Sequence, residues 1–344
     1  MRLFAATFGE EMSKALWKWK FAELPGTFEN IFLIRDEGGE LCGHHSALPH
    51  TISYMGREIT GVFRSDFMVR PDMQRMGVGG TLLKAMREIV DRRCAVAYAL
   101  TNPRSTGLTA KNKPTHHQEA PIYWRVEKTA ALLKGLGWGT GIPSLLARCT
   151  DFLLSIPYRL LELTPVGARH YTSKGVERFG KETAELAAAG RRDCGIYVKR
   201  DGSFLNWRYN RHPEAEYSIS LLFERDGAGP VGYIVKAVQE FQGFRIGFIV
   251  DILTVPPRLR AARYLLSNSL RWFRKREVEV VSCIMTGKNA YTRALKSLGL
   301  ARIPQRLLPH SLHLMIRIND PELDVEFAAD PDNWIITWAD SDLV

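Results

Sequence analysis

The stretch Val69-Arg70-Pro71-Asp72-Met73-Gln74-Arg75-Met76-Gly77-Val78-Gly79-Gly80 decides how this chain folds. An apolar run from Ile59 to Val69 precedes it, and Pro71 stops that run from continuing as a paired strand. From Gly79 to Arg93 the apolar positions Leu82, Leu83, Met86, Ile89 and Val90 fall on one helical stripe, opposite Lys84, Arg87, Glu88 and Asp91. The junction is therefore a strand, a glycine turn and a helix packed on a sheet. The first turn of a helix has unpaired backbone N–H groups and the positive end of the helix dipole, and glycines lacking Cβ let an anion approach that backbone. Residues 74 to 80 thus read as a diphosphate cradle. Neither Gly-x-Gly-x-x-Gly nor Gly-Lys-Ser/Thr occurs there, so the dinucleotide and P-loop patterns fail.

Working outward, Ile31 to Arg35, a turn at Glu37-Gly38-Gly39 and Leu41 to Ala47 predict a β-hairpin. Thr51 to Met55 and Ile59 to Val69 continue the meander, broken at Gly56. Cys94 to Leu100 reads as a strand ended by Asn102-Pro103, and residues 103 to 120, which show no clear period, as a long surface loop. Tyr123 to Leu136 reads as a helix closed by Gly137-Trp138-Gly139. Thr140 to Thr164 is an undetermined connection, and a domain boundary falls near Pro165. The second half repeats this order. Its strands are Tyr217 to Phe223, Gly232 to Val238 and Phe244 to Val255; a helix Arg258 to Arg276, a strand Val278 to Met285 and a helix Asn289 to Leu298 follow. The expected fold class is α+β (α/β), with two domains of similar topology over residues 1–165 and 166–344, each a largely antiparallel twisted sheet flanked by helices.

With 344 residues the chain is long for one core, and 45% hydrophobic and 24% charged residues suit a soluble globular protein. A net charge of +10 with no nucleic-acid motif suits an anionic small molecule better than DNA or RNA. Five widely spaced cysteines, Cys42, Cys94, Cys149, Cys194 and Cys283, predict reduced thiols and a cytoplasmic location. Their spacing offers no zinc site, and no metal is expected at His116-His117 either. The greasiest segment, Phe152 to Leu163, is interrupted by Pro157, Arg159 and Glu162, so no membrane span is expected.

The arrangement Gln74-x-x-Gly77-x-Gly79, preceded by Val69-x-Pro71 and followed by Leu82-Leu83, resembles the acyl-coenzyme A signature of the GNAT (GCN5-related N-acetyltransferase) superfamily. The resemblance implies acetyl-CoA or another acyl-CoA as co-substrate and an N-acyltransferase acting on a small-molecule amine. It assigns cofactor binding to Gln74, Arg75, Met76, Gly77, Val78, Gly79, Gly80 and Asn102, and pantetheine pairing to the backbone of Phe67, Met68 and Val69. It also implies direct attack of a neutral amine on the thioester, which calls for a base. Asp66, His44, His45 and Asp91 are the candidates, Asp66 and His44 foremost; His44 and His45 alternate on a strand, so only one can face a given site. The tyrosine such enzymes often carry four residues before a glycine-aromatic pair is replaced by Leu133 and Leu295, which leaves Tyr98, Tyr123 or water as the acid.

In the second half Arg260, Arg263 and Leu265 stand opposite Gln74, Gly77 and Gly79, so one coenzyme site is expected and a substrate platform or structural partner in place of another. Arg208, Trp207 and Asp251 are the candidate substrate residues there. Two rival readings fit parts of the sequence: a Fem-like transferase using aminoacyl-tRNA, suggested by charge and duplication, and a non-catalytic coenzyme A sensor or scaffold, suggested by the missing tyrosine.

Overall fold

The structure, a computed structural model, describes residues 2–9, 11–26, 31–111, 113–128, 144–163, 169–183, 186, 195–241, 243–304 and 311–342. In chain order the elements are α1 (Arg2–Phe8), α2 (Lys14–Phe21), β1 (Ile31–Arg35), β2 (Leu41–Tyr54), β3 (Arg57–Val69), α3 (Val78–Arg93), β4 (Val96–Thr101), α4 (Pro103–Lys111), β5 (His116–Glu119), β6 (Ile122–Val126), α5 (Ser144–Leu163), β7 (Tyr171–Val176), β8 (Ile196–Val198), α6 (Gly202–Leu205), β9 (Ser218–Glu224), β10 (Pro230–Phe241), β11 (Phe244–Thr254), α7 (Leu259–Arg274), β12 (Val280–Ile284), α8 (Ala290–Ser297), β13 (Ala301–Arg302) and β14 (His313–Ile318). They form two compact units: residues 1–120, 195–214 and 310–333, and residues 121–194, 215–309 and 334–344. The units interleave along the chain, a feature that a single cut near residue 165 leaves out.

The first unit holds a sheet in the order β8-β2-β3-β4-β14-β5, with β1 on the first part of β2. β2 and β3 form a long hairpin closed by Met55-Gly56, both at positive φ, as a two-residue turn matched to strand twist requires. β3 runs parallel to β4 only from Gly61 to Phe63, and past that point its edge toward β4 has no strand partner among the described residues. One face of this sheet carries α3, whose Leu83, Met86 and Val90 pack on Ala47, Val62 and Ala97. Gly43 makes that packing close: a Cβ there would lie 2.8 Å from Leu82 and 3.0 Å from Val78.

The second unit repeats the plan in the order β13-β6-β12-β11-β10-β9-β7. β11 runs parallel to β12 only from Ile246 to Phe248, so it too has a splayed end. Its helix α7 buries Ala262, Leu265, Leu266, Leu270 and Phe273, and Gly247 faces that phenylalanine as Gly43 faces Leu82. The twisted, mixed sheets flanked by helices match the expected α+β class, and α3, β4, β9 to β12, α7 and α8 fall within a few residues of the sequence reading.

Three readings are corrected. Residues 103–119 contain a helix and a strand where a loop was expected, because β5 pairs with β14 from nearly two hundred residues away. The start of the expected helix Tyr123 to Leu136 is strand β6, paired with β12; residues 129–136 lie outside the described residues. Most of the undetermined connection is α5. Each sheet thus takes an inner strand from the other half of the sequence, β14 in the first unit and β6 in the second.

Candidate functional site

The turn between β3 and α3 is built to leave backbone donors exposed. The guanidinium of Arg70 binds Asp72 at 2.7 Å and Asp36 at 2.9 Å, which braces the turn's start, and Pro71–Met73 form one turn of 3-10 helix. The side-chain amide of Gln74 donates back to the Val69 carbonyl at 3.1 Å. Gly77 is the residue before the helix, at φ 87°, a left-handed conformation that costs an L-residue with a Cβ roughly 1–2 kcal/mol. Among the described residues no side chain caps this helix, and its first turn contains no acidic residue to offset the positive end of the helix dipole. A Cβ on Gly77 or Gly80 would meet nothing within 4 Å, which makes this open space above the backbone. The side-chain oxygen of Asn102 accepts from the Ser105 N–H at 3.1 Å, capping α4.

At the splayed end of β3 the pairing with β2 slips, from Ser46 with Ser65 to His44 with Met68. Asp66 and Phe67 therefore oppose the single residue His45, a β-bulge in which Asp66 takes φ 49°. Asp66 turns away from α3 toward α2, where the Lys20 ammonium meets its carboxylate at 2.5 Å, both side chains buried. Lys20 is the partner of Asp66 that the sequence reading did not name; its alternation with Trp17 and Trp19 in a short helix was the available signal. Neither Arg64 nor Arg70 pairs with Asp66, since Arg64 lies on the α3 face, where burial pushes it down to about 10.

His44 and His45 lie on opposite faces. The carbonyls of Asp66 and Ser65 accept from their Nδ1 atoms at 2.9 and 3.0 Å. A carbonyl only accepts, so each neutral ring carries its proton on Nδ1 and its lone pair on Nε2. Burial, the larger effect, lowers both rings' affinity for a second proton, strongly for His45. The Nε2 of His45 faces an Arg64 nitrogen at 3.4 Å and is thereby occupied. His44, edge-on to Phe21 beside the Lys20–Asp66 pair, keeps its Nε2 lone pair for another proton.

The remaining candidates lie elsewhere. Asp91 is bound by Arg317 at 3.0 Å, near the far end of α3. Trp207 stacks on Trp19 with ring centres 4.8 Å apart, each indole donating to the other's carbonyl, and Arg208, 1% exposed, lies over the Trp19 and Tyr209 rings. Both are buried in the first unit's core. Asp251 is buried in the second unit, accepting from Tyr233 at 2.9 Å and from the Ile252 N–H. Tyr98 is fully buried with its hydroxyl 2.6 Å from His50, and Tyr123 is buried on β6. Among the described residues no group of three or more His, Cys, Asp or Glu is placed to hold a metal.

In the second unit the corresponding places are filled. Four residues separate β11 from α7, against eight between β3 and α3, and none is glycine. The Tyr291 hydroxyl accepts from the Thr254 N–H at 2.9 Å, at the end of β11. The C-terminal segment joins Thr286, just after β12, through Trp334 and Ile336, then reaches β11, with Thr337 near Asp251 and Trp338 edge-on to Phe248.

A strand that splays from its parallel neighbour, a bulge, and a glycine turn into an uncapped helix occur together in the first unit, and the strand and helix order recurs in the second. Solved structures align with this chain over almost its whole length. The GCN5-related N-acetyltransferase of Anabaena variabilis ATCC 29413 aligns over 93% of this chain and 69% of its own, with a TM-score of 0.57 and 14% identity. The chain has the GNAT fold. A conserved protein of Enterococcus faecalis V583, a probable N-acyltransferase, aligns over the same shares at a TM-score of 0.55 and 16% identity. The N-myristoyltransferase of Saccharomyces cerevisiae, solved with bound myristoyl-CoA, aligns over 97% of this chain and 81% of its own at 0.59 and 12%. No family model and no curated protein matches the sequence. The GNAT fold is therefore carried here by topology, with little sequence in common.

Proposed function

We propose that this protein is an acyl-CoA-dependent N-acyltransferase with one coenzyme site, in the first unit. The observation that carries the reading is the uncapped, glycine-lined start of α3 at the end of a splayed β3. An anionic diphosphate fits that start because it supplies the acceptors the first-turn N–H groups lack. The unpaired edge of β3 over Arg64–Val69 supplies main-chain groups for an amide-bearing arm such as pantetheine. The likeness of fold to a myristoyl-CoA-bound enzyme and to two acyltransferases by name brings the donor class to this chain.

In this reading His44 takes a proton from the acceptor amine as its nitrogen bonds to the thioester carbonyl carbon, the carbon–sulfur bond breaks, and the departing thiolate takes a proton from water while His44 returns its own to solvent, the products being an amide and free thiol. His44 suits that task because it is neutral and its tautomer is fixed with the lone pair on Nε2. Asp66 acts through the Lys20 pair to hold the bulge that positions His44. Acetyl is the first acyl group to try, and the second unit serves as a platform without coenzyme.

The test is calorimetric titration with acetyl-CoA, followed by thiol release across a panel of amines. One bound coenzyme per chain and amine-dependent release are expected. Two per chain would overturn the one-site assignment, and binding without release on any amine would overturn the catalytic one.

A further inference from the structure

Helix α5 faces the wrong way for a helix on a soluble protein. Its inner side is ionic: the Glu162 carboxylate is held by Arg125 at 2.6 Å and Arg274 at 2.5 Å, and Tyr158 lies under the Arg125 guanidinium at 4.1 Å. Gly299 lets the helix come in close on that side, since a Cβ there would stand 2.8 Å from the Tyr158 ring. Its outer side is apolar: Phe152, Leu153, Ile156, Leu160 and Leu161 are 38–63% exposed. Phe152, Ile156 and Leu160 recur every four residues with Leu153 beside them, so they form one stripe. An amphipathic helix ordinarily buries its apolar stripe. Here the ion pairs fix the opposite orientation, and a contiguous apolar strip of this kind marks a surface made to be covered.

The charges around the strip select its cover. Arg159 is exposed on the same helix. Arg263 and Arg271 of α7 donate to the carbonyls of Leu161 and Glu162, which places α7 beside the end of α5. That neighbour carries four arginines and no acidic residue, with exposed Arg260 at its start and exposed Lys275, Arg276 and Glu277 just after it, a rim that stays net basic. Arg258 is already paired with Glu224, and Glu162 is consumed by its own arginines. A second copy of the chain docked through the same strip would bring these basic rims together, which isologous pairing disfavours. An anionic lipid surface complements both features, apolar chains for the stripe and phosphates for the rim.

We propose that α5 docks the protein on anionic membrane surfaces, lying in the interfacial plane with α7 flanking it. Among the described residues no helix is long and apolar enough to cross a membrane. The docking is independent of the acyltransferase reading and uses none of its residues.

Flotation of the full chain with vesicles tests it. The protein rises with equimolar phosphatidylcholine and phosphatidylglycerol vesicles, stays down with pure phosphatidylcholine, and is released as salt is raised. Leu160→Glu and Ile156→Glu each lower the bound fraction about tenfold or more, with unchanged circular dichroism because both positions are exposed. Arg260→Glu lowers binding to the anionic vesicles. Failure to float with the anionic vesicles, or equal recovery with neutral ones, overturns the proposal. So does a concentration-dependent dimer, abolished by Leu160→Glu, in a protein that binds no vesicle; that result would assign the strip to a second copy.

Discussion

Replacing Gly80 by glutamate should move stability and coenzyme binding in opposite directions. Gly80 is the third residue of α3, with nothing within 4 Å of an added Cβ and no side-chain cap ahead of it. Removing a glycine from a helix gains about 0.8–1 kcal/mol, and a carboxylate in the first turn adds about 0.3–1 kcal/mol against the helix dipole. The variant should therefore melt a few degrees higher, on the order of 2–4 °C. The same carboxylate would stand where the diphosphate is expected. Like charges about 4 Å apart near a protein surface repel by up to about 4 kcal/mol, and about 3 kcal/mol is roughly a hundredfold in affinity. Calorimetry with acetyl-CoA and a thermal scan on the same samples read both effects, and Gly80→Ala, which shares the helix gain without the charge, should fall between. A glutamate variant that melts higher yet binds acetyl-CoA as the parent does would refute the reasoning, because the helix would be intact and the coenzyme elsewhere.

His44→Gln should lower turnover about 10²- to 10⁴-fold while coenzyme affinity stays as it was, checked by thiol release beside calorimetry. Lys20→Met should cost about 3–5 kcal/mol in denaturant unfolding by stranding the buried Asp66 carboxylate, and the double variant with Asp66→Asn should recover most of that; equal losses in the single and double variants would show the pair is not coupled. Stability should fall as the pH drops below 6.5. Burial, the largest cause, holds the folded pKa of His50 to about 3 and of His212 to about 4, so between those values and 6.5 the unfolded chain binds protons that the folded one does not. Each such histidine steepens the slope by up to about 1.4 kcal/mol per pH unit, and His50→Gln should remove its share, measured by urea titrations across that range.

The turn from Gln74 to Gly80 was legible because its physics is local: consecutive glycines and a proline state the backbone they need without reference to anything distant. The α3 and α7 stripes were legible for the same reason. What was not legible depended on partners far along the chain. His116 to Glu119 has no period of its own and becomes a strand only because Ile316 to His313 lies beside it. Ile122 to Val126 looked helical because a short run of mixed residues fits either period, and its pairing with Val280 to Ile284 decided the matter. At the site, Asp66 and His44 could be named but not their roles, since the bulge that separates them and the Lys20 that claims the carboxylate are tertiary facts. Trp207 by itself fits a recognition surface or a core equally, and its reciprocal bonds with Trp19, a partner far along the chain, are what place it in the core.

The two units pose one problem and answer it differently. A parallel pair that splays leaves main-chain groups on both inner edges without partners, a cost unless something fills the gap. In the second unit the chain fills it, with the Tyr291 hydroxyl at Thr254 and the C-terminal segment running from Thr286 to Asp251. There the connection is four residues long and holds no glycine, and the positions that match Gly77 and Gly79 are Arg263 and Leu265 of α7. In the first unit the turn is long, uncapped and free of acidic residues at the helix start. A fold that keeps such an opening forgoes stability it visibly obtains elsewhere in the same chain. The retained opening is thus itself evidence for a ligand, and the contrast predicts that loading with coenzyme protects amide hydrogens of β3 and the start of α3 from exchange while leaving β11 and α7 unchanged.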